Sequence, residues 1–149
     1  MPFKTVDDIF QIAIQMEKKA YQFYNEASNL VKKDSPESGA LLEKLAQEEL
    51  HHKEMLEQFD LGDLAQEYIQ FEPDLSVYNT IKKTPITKDM KPQEIRTLAA
   101  KREQYTREFY LSYADAVSSK NIRELFTTLA EFEKQHIHKI NFEFGEYYG

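Results

Sequence analysis

Two glutamate–histidine pairs carry the chemistry of this 149-residue chain: Glu49 with His52, and Glu133 with His136. A spacing of three places both side chains on one face of a helix, so a single element offers an oxygen and a nitrogen ligand to one point. Each pair interrupts an apolar stripe. Leu45, Glu49, His52 and Leu56 follow the same steps as Leu129, Glu133, His136 and Ile140. Two more stripes hold one carboxylate each, Ala13, Glu17, Ala20, Tyr24 and Ala99, Glu103, Thr106, Tyr110. Four carboxylates and two imidazoles therefore lie on faces that should be buried. Carboxylates cannot gather in an apolar interior unneutralised, because desolvation and mutual repulsion protonate them or open the fold. Two divalent cations balance four negative charges, and neutral imidazoles complete the shells. Mixed carboxylate and imidazole donors suit iron, manganese or zinc better than calcium. The competing reading is a structural polar cluster without metal.

A lone Glu-x-x-His says little in a chain this rich in glutamate. Glu48 and His51 have the same spacing, but their helical phase sets them beside Lys44 and Glu54, and they read as surface. His138, preceded by Gln135, reads as surface too. Tyr24 and Tyr110 sit two turns beyond Glu17 and Glu103 on the same faces. They read as core aromatics or as hydroxyls that bond a ligand carboxylate or a bound oxygen species.

Helical periodicity predicts four long elements at about 5–31, 36–59, 92–117 and 122–144. Thr5 with Asp8 forms a capping pair, Ser35-Pro36 an N-cap followed by proline, and Asn121 with Glu124 a further capping pair. Gly145 can end the last helix. Residues 60–91 contain Pro73 and Pro85 and an acidic set, Glu67, Glu72 and Asp74, read as a solvated face. A short helix near Leu64–Phe71 is expected there, with extended chain otherwise. Such a segment is too long for a tight turn and long enough to run the length of a bundle. The plan is helix, turn, helix, crossover, helix, turn, helix: an all-α four-helix bundle in a single domain.

The two halves repeat. Glu17 with Phe23-Tyr24 matches Glu103 with Phe109-Tyr110, and Leu45-Ala46-Gln47-Glu48-Glu49-Leu50-His51-His52 matches Leu129-Ala130-Glu131-Phe132-Glu133-Lys134-Gln135-His136. The midpoint of Glu17 and Glu49 is residue 33, inside the first turn, and that of Glu103 and Glu133 is residue 118, inside the second. Each glutamate then lies about 24 Å from its turn. A pseudo-two-fold relation brings all four to one level.

Composition narrows the alternatives. The net charge is −7 and no long basic run occurs, which argues against a nucleic-acid surface. No apolar stretch approaches a membrane span, and the opening MPFKTVDDIF lacks the apolar core of a signal peptide. The cytoplasm is the expected compartment. The absence of cysteine excludes disulfides, thiolate-ligated zinc, iron–sulfur clusters and thiol catalysis.

At these residues the chain resembles the ferritin-like di-iron carboxylate proteins, in particular the rubrerythrin branch. The resemblance rests on Glu17 with Phe23-Tyr24, Glu49-Leu50-His51-His52, Glu103 with Phe109-Tyr110, and Glu133-Lys134-Gln135-His136. It implies a ferritin-like bundle with two iron ions per chain. Glu17 and Glu103 would be terminal ligands, Glu49 and Glu133 bridging ligands, and His52 and His136 one nitrogen ligand for each metal. The activity implied is reduction of peroxide or dioxygen by a di-iron oxidoreductase, with a homodimer as the expected assembly. The alternatives are an iron-binding, ferroxidase-type protein without substrate turnover, and an interaction module stabilised by metal. Full rubrerythrins append a rubredoxin-like domain with paired Cys-x-x-Cys motifs; without cysteine, the donor must be external, such as a rubredoxin-like protein. Rubrerythrins also carry an extra glutamate three residues before the third-helix ligand, which takes part in a redox-linked shift of one iron. That position is Ala100 here, which leaves a symmetrical six-ligand set, as in bacterioferritin-like centres. Little chain remains for the fifth helix of a ferritin cage.

Overall fold

Thr5 starts the first helix by reciprocal capping. Its Oγ1 accepts from the Asp8 N–H at 3.1 Å, and the Asp8 carboxylate accepts from the Thr5 N–H at 3.0 Å. In the computed structural model, which describes residues 4–71, 79–81 and 84–144, this helix, α1, spans Val6–Val31. Ser35 caps α2, Pro36–Gln58, by accepting from the Ser38 N–H, with Pro36 in the first turn. The second half supplies α3, Pro92–Ala116, and α4, Lys120–Lys139, the latter continued by a π-helical turn at Ile140–Phe144. The chain forms a four-helix bundle built from two hairpins, α1 with α2 and α3 with α4.

The predicted stripes are the buried faces. Phe10, Ala13, Ala20, Tyr24, Ala27 and Val31 of α1 all lie in the core, as do Leu45 and Leu56 of α2 and Leu129 of α4. Aromatic packing joins the hairpins: the Phe10 ring lies 5.4 Å from Phe126 of α4 and 5.6 Å from Phe59, and Phe126 lies 5.5 Å from Tyr110 of α3. A buried side chain of this size contributes about 1.5–3 kcal/mol, so the rings that clamp the hairpins also fix the level at which their polar residues meet.

The α1–α2 turn is tight. The Ser28 hydroxyl donates to the Gly39 carbonyl at 2.7 Å. A Cβ at Gly39 would stand 2.5 Å from Lys32 Cβ and 2.8 Å from Lys32 Cα. The backbone atom cannot swing aside, so Gly39→Ala is expected to destabilise the protein by about 1–3 kcal/mol, despite alanine's better helix propensity. Urea unfolding checks this; an unchanged or raised midpoint would contradict the close approach.

Three local expectations are corrected. The helix expected near Leu64–Phe71 is a 3-10 turn at Gly62–Gln66 followed by a short strand, Tyr68–Ile69. Gly62 takes φ +53°, and its N–H donates to the Asp60 side chain. The strand pairs antiparallel with Lys4–Thr5, in register Lys4 to Ile69 and Thr5 to Tyr68, and Ile69 is buried. This non-local pairing outweighs the local helical preference. At the start of α4 the cap is Ser119, whose Oγ accepts from the Ile122 N–H, rather than Asn121, so the helix begins two residues earlier than predicted. Glu67 is only partly solvated: it accepts from the Ser118 hydroxyl at 2.7 Å and ties the crossover to the second turn. Gly145, Glu72 and Asp74 lie outside the described residues.

Candidate metal centre

Glu17 comes from α1, Glu49 and His52 from α2, Glu103 from α3, and Glu133 and His136 from α4; none is more than 3 % exposed. All six converge between the helices. His52 Nδ1 lies 3.2 Å from a Glu17 oxygen, 3.4 Å from Glu49 and 3.3 Å from Glu133. His136 Nδ1 lies 3.0 Å from Glu49, 3.5 Å from Glu103 and 3.9 Å from Glu133. The contacts fall into two overlapping groups. Glu17, Glu49, His52 and Glu133 can each turn a ligand atom toward one point, and Glu49, Glu103, Glu133 and His136 toward a second. Glu49 and Glu133 belong to both groups; Glu17 with His52, and Glu103 with His136, belong to one each.

Satisfaction of the polar atoms tests whether cations fit. Glu17 Oε2, Glu49 Oε1, Glu103 Oε2, both oxygens of Glu133 and both Nδ1 atoms are buried without a hydrogen-bond partner. Native interiors leave few such atoms, and each costs about 1–3 kcal/mol. Seven at one place, all of donor types that take transition metals, are what a pair of cations would satisfy. The residues fit the group.

Without metal, shifted proton affinities relieve part of the buried charge. Burial, then the charge of Glu49, pushes Glu17 up to about 8. Burial also raises Glu103, with Glu49 again contributing. Burial acts upward on Glu49 as well, but the close imidazoles of His136 and His52 overcome it and hold this carboxyl at about 2. For His52, burial favours the neutral ring, yet Glu17 and Glu49 outweigh it and raise the imidazole to about 10. For His136, Glu103 leads the carboxylates that outweigh burial and raise it to about 12.

The tyrosines cross between the hairpins. Tyr24 Oη of α1 donates to Glu103 of α3 at 2.5 Å, and Tyr110 Oη of α3 donates to Glu17 of α1 at 2.9 Å. Each hydroxyl occupies Oε1 and leaves Oε2 buried without a hydrogen-bond partner. Burial, then the neighbouring carboxylate, keeps both phenols well above their ordinary range and protonated. Tyr24→Phe removes a buried hydrogen bond and leaves the Glu103 oxygen without it, which is expected to cost about 1–3 kcal/mol in the metal-free protein. Chemical denaturation measures it; a loss below about 0.5 kcal/mol would mean that this bond carries no weight.

Sequence phase missed one participant. Glu48 is half-buried, and His136 Nε2 lies 2.8 Å from its Oε2, with Lys139 Nζ 3.7 Å from the other oxygen. The His136 contact holds the Glu48 carboxyl below its usual range. The available signal was its place immediately before Glu49 in the repeated frame. His51 and His138 are exposed, as read. A cavity of about 220 Å³ adjoins the imidazoles, with His51, Phe132, Gln135 and Lys139 among its lining residues. A larger surface depression, about 500 Å³ beside Arg123 and Thr127, includes none of the six converging residues.

A protein-family model described as Rubrerythrin matches residues 8–143. Among solved structures, the chain is similar to a ferritin-like diiron-carboxylate protein from Thermotoga maritima, at 22% identity and a TM-score of 0.73, over 94% of each chain. It is also similar to a hypothetical protein from Pyrococcus furiosus, at 23% identity and a TM-score of 0.66, over 95% of this chain and 89% of that one. At these identities the structures speak to the fold, a ferritin-like helical bundle. No protein of curated function matches the chain. No helix of the described residues is long and apolar enough to cross a membrane.

Proposed function

Because the chain belongs to the rubrerythrin family, we propose that its buried carboxylate–imidazole cluster binds two iron ions and that the protein reduces peroxide or dioxygen with electrons from an external donor. The observation that carries this reading is the pair of overlapping ligand groups, with Glu49 and Glu133 in both and seven donor atoms otherwise unsatisfied. Iron held there supplies a redox couple and open coordination positions in a water-poor interior.

The chain's own part is positional. Tyr24 and Tyr110 fix one oxygen of Glu103 and Glu17 and so set the direction of the other. Both imidazoles present Nδ1 to the centre, and the core aromatics shut out bulk water. The cavity of about 220 Å³ beside His52 and His136 exceeds the roughly 30 Å³ that a water occupies in the liquid. Its size would suit a small oxidant such as peroxide, whose reduction to water consumes two protons and two electrons.

A second reading, uptake and oxidation of iron without turnover, uses the same six converging residues. Anaerobic ferrous protein mixed with peroxide or with dioxygen in a stopped-flow instrument separates the two. Two irons per chain, faster oxidation by peroxide and repeated turnover with a rubredoxin-like donor support the enzyme. A single oxidation, as fast or faster with dioxygen, supports iron handling. No bound iron overturns both.

A further inference from the structure

The repeat that builds the centre is broken just outside it. Glu49 corresponds to Glu133 and His52 to His136, but Glu48 corresponds to Phe132. The pseudo-two-fold relation therefore sets Glu48 against the outer nitrogen of one imidazole and Phe132 against the other imidazole. His136 Nε2–H donates to Glu48 at 2.8 Å, and Lys139 lies 3.7 Å from that carboxylate. On His52 the Phe132 ring stacks instead, with centroids 5.2 Å apart and planes at 23°. Among the described residues, the close carboxylates around His52 all face Nδ1.

We propose that Glu48 is a positioning residue for His136 and that its replacement by Phe132 in the other half makes the two metal positions unequal, the one served by His136 filling first. A carboxylate on the outer N–H does two things for a metal-binding imidazole. It fixes the tautomer, so the inward nitrogen carries the lone pair, and it raises the basicity of that nitrogen. Loss of such a partner typically costs about 10- to 100-fold in metal affinity. Phe132 can hold the His52 ring in place by stacking, but it accepts no proton and leaves the tautomer free. The six ligands alone are symmetrical; the order of filling comes from the residues behind them. This inference rests on the metal-centre reading above.

Titration of the metal-free protein with Co(II), followed by calorimetry and visible absorption, tests it. Two Co(II) are expected to bind in two steps whose constants differ by about 10- to 100-fold. Glu48→Gln should weaken the tight step by a similar factor and merge the two. Glu48→Asp should restore part of the difference, and Phe132→Glu should tighten the weak step. Proton NMR gives a readout that fold maintenance alone does not move. One equivalent of Co(II) should produce one strongly shifted, slowly exchanging imidazole N–H, whose exchange quickens in Glu48→Gln. Two metals bound with equal constants, or a Glu48→Gln protein with both constants unchanged, would overturn the inference while leaving the centre intact. A wild-type protein that binds no metal overturns the centre itself.

Discussion

Glu49→Ala or Glu133→Ala is expected to abolish binding of both metal ions, whereas Glu17→Ala is expected to spare one. The difference follows from membership. Glu49 and Glu133 supply an atom to both ligand groups; Glu17 serves only the group that contains His52, and Glu103 only the group that contains His136. Removing a shared carboxylate would leave each ligand group with three members and would take a negative charge from the place where the two groups overlap. Removing Glu17 leaves the Glu49, Glu103, Glu133, His136 group whole. Stability should follow occupancy. A ligand present at 100 times its dissociation constant stabilises the native state by about 2.7 kcal/mol per site. The loaded wild type should therefore melt well above the metal-free protein, by roughly ten degrees or more for a domain of this size. Glu49→Ala should show no increment at all. Metal counting by plasma mass spectrometry after gel filtration, paired with thermal melts with and without chelator, reads both quantities. Two metals retained by either shared-glutamate variant would sink the assignment.

The parts of this centre differ in how openly the sequence displays them. The six buried polar residues were legible because three constraints coincide on them: helical phase within an apolar stripe, repetition in both halves, and equal distance from a hairpin turn. Any one alone is weak, as Glu48 with His51 illustrates. Glu48 reads as surface from sequence because one residue turns a helix by about 100°, which carries it to the edge of the α2 stripe. Whether an edge residue meets solvent or a neighbouring helix depends on how α2 lies against α4, and nothing local to α2 encodes that. The tyrosines show the same limit. Their faces were legible, but not that Tyr24 serves Glu103 and Tyr110 serves Glu17, since those bonds cross between hairpins 79 and 93 residues apart. The crossover was least legible. The Tyr68–Ile69 strand exists by pairing with Lys4–Thr5, a partner more than sixty residues away in sequence.

The second large effect concerns pH in the metal-free protein. Its stability is expected to be greatest near pH 4.5, to fall gently up to 6.5 and to fall most steeply from 6.5 to 8, the range in which metal binding grows stronger. The sign follows from where protons sit. His52 and His136 are raised from an ordinary 6.5 to about 10 and about 12, so the folded state binds protons that the unfolded chain releases above pH 6.5. Their contribution is complete below 6.5 and is lost as pH rises through the folded values. Glu17, raised from 4.5 to about 8, acts in the same direction from 4.5 upward. Glu49, held at about 2, acts in the opposite direction, but only below 4.5. Between 6.5 and 8 three groups therefore pull together, each by at most about 1.4 kcal/mol per pH unit. Even a third of that sum is a large fraction of a domain's net stability. Metal reverses the trend, because coordination requires the same nitrogens unprotonated and the same carboxylates ionised. Zinc, which has no redox chemistry, isolates this effect. Its binding should release protons at pH 7, detectable as a calorimetric enthalpy that varies with the ionisation heat of the buffer, and the zinc-loaded protein should not share the loss in melting temperature between pH 6.5 and 8. A metal-free melting temperature that stays flat or rises across that interval would mean that the cluster does not hold its protons on the imidazoles and Glu17.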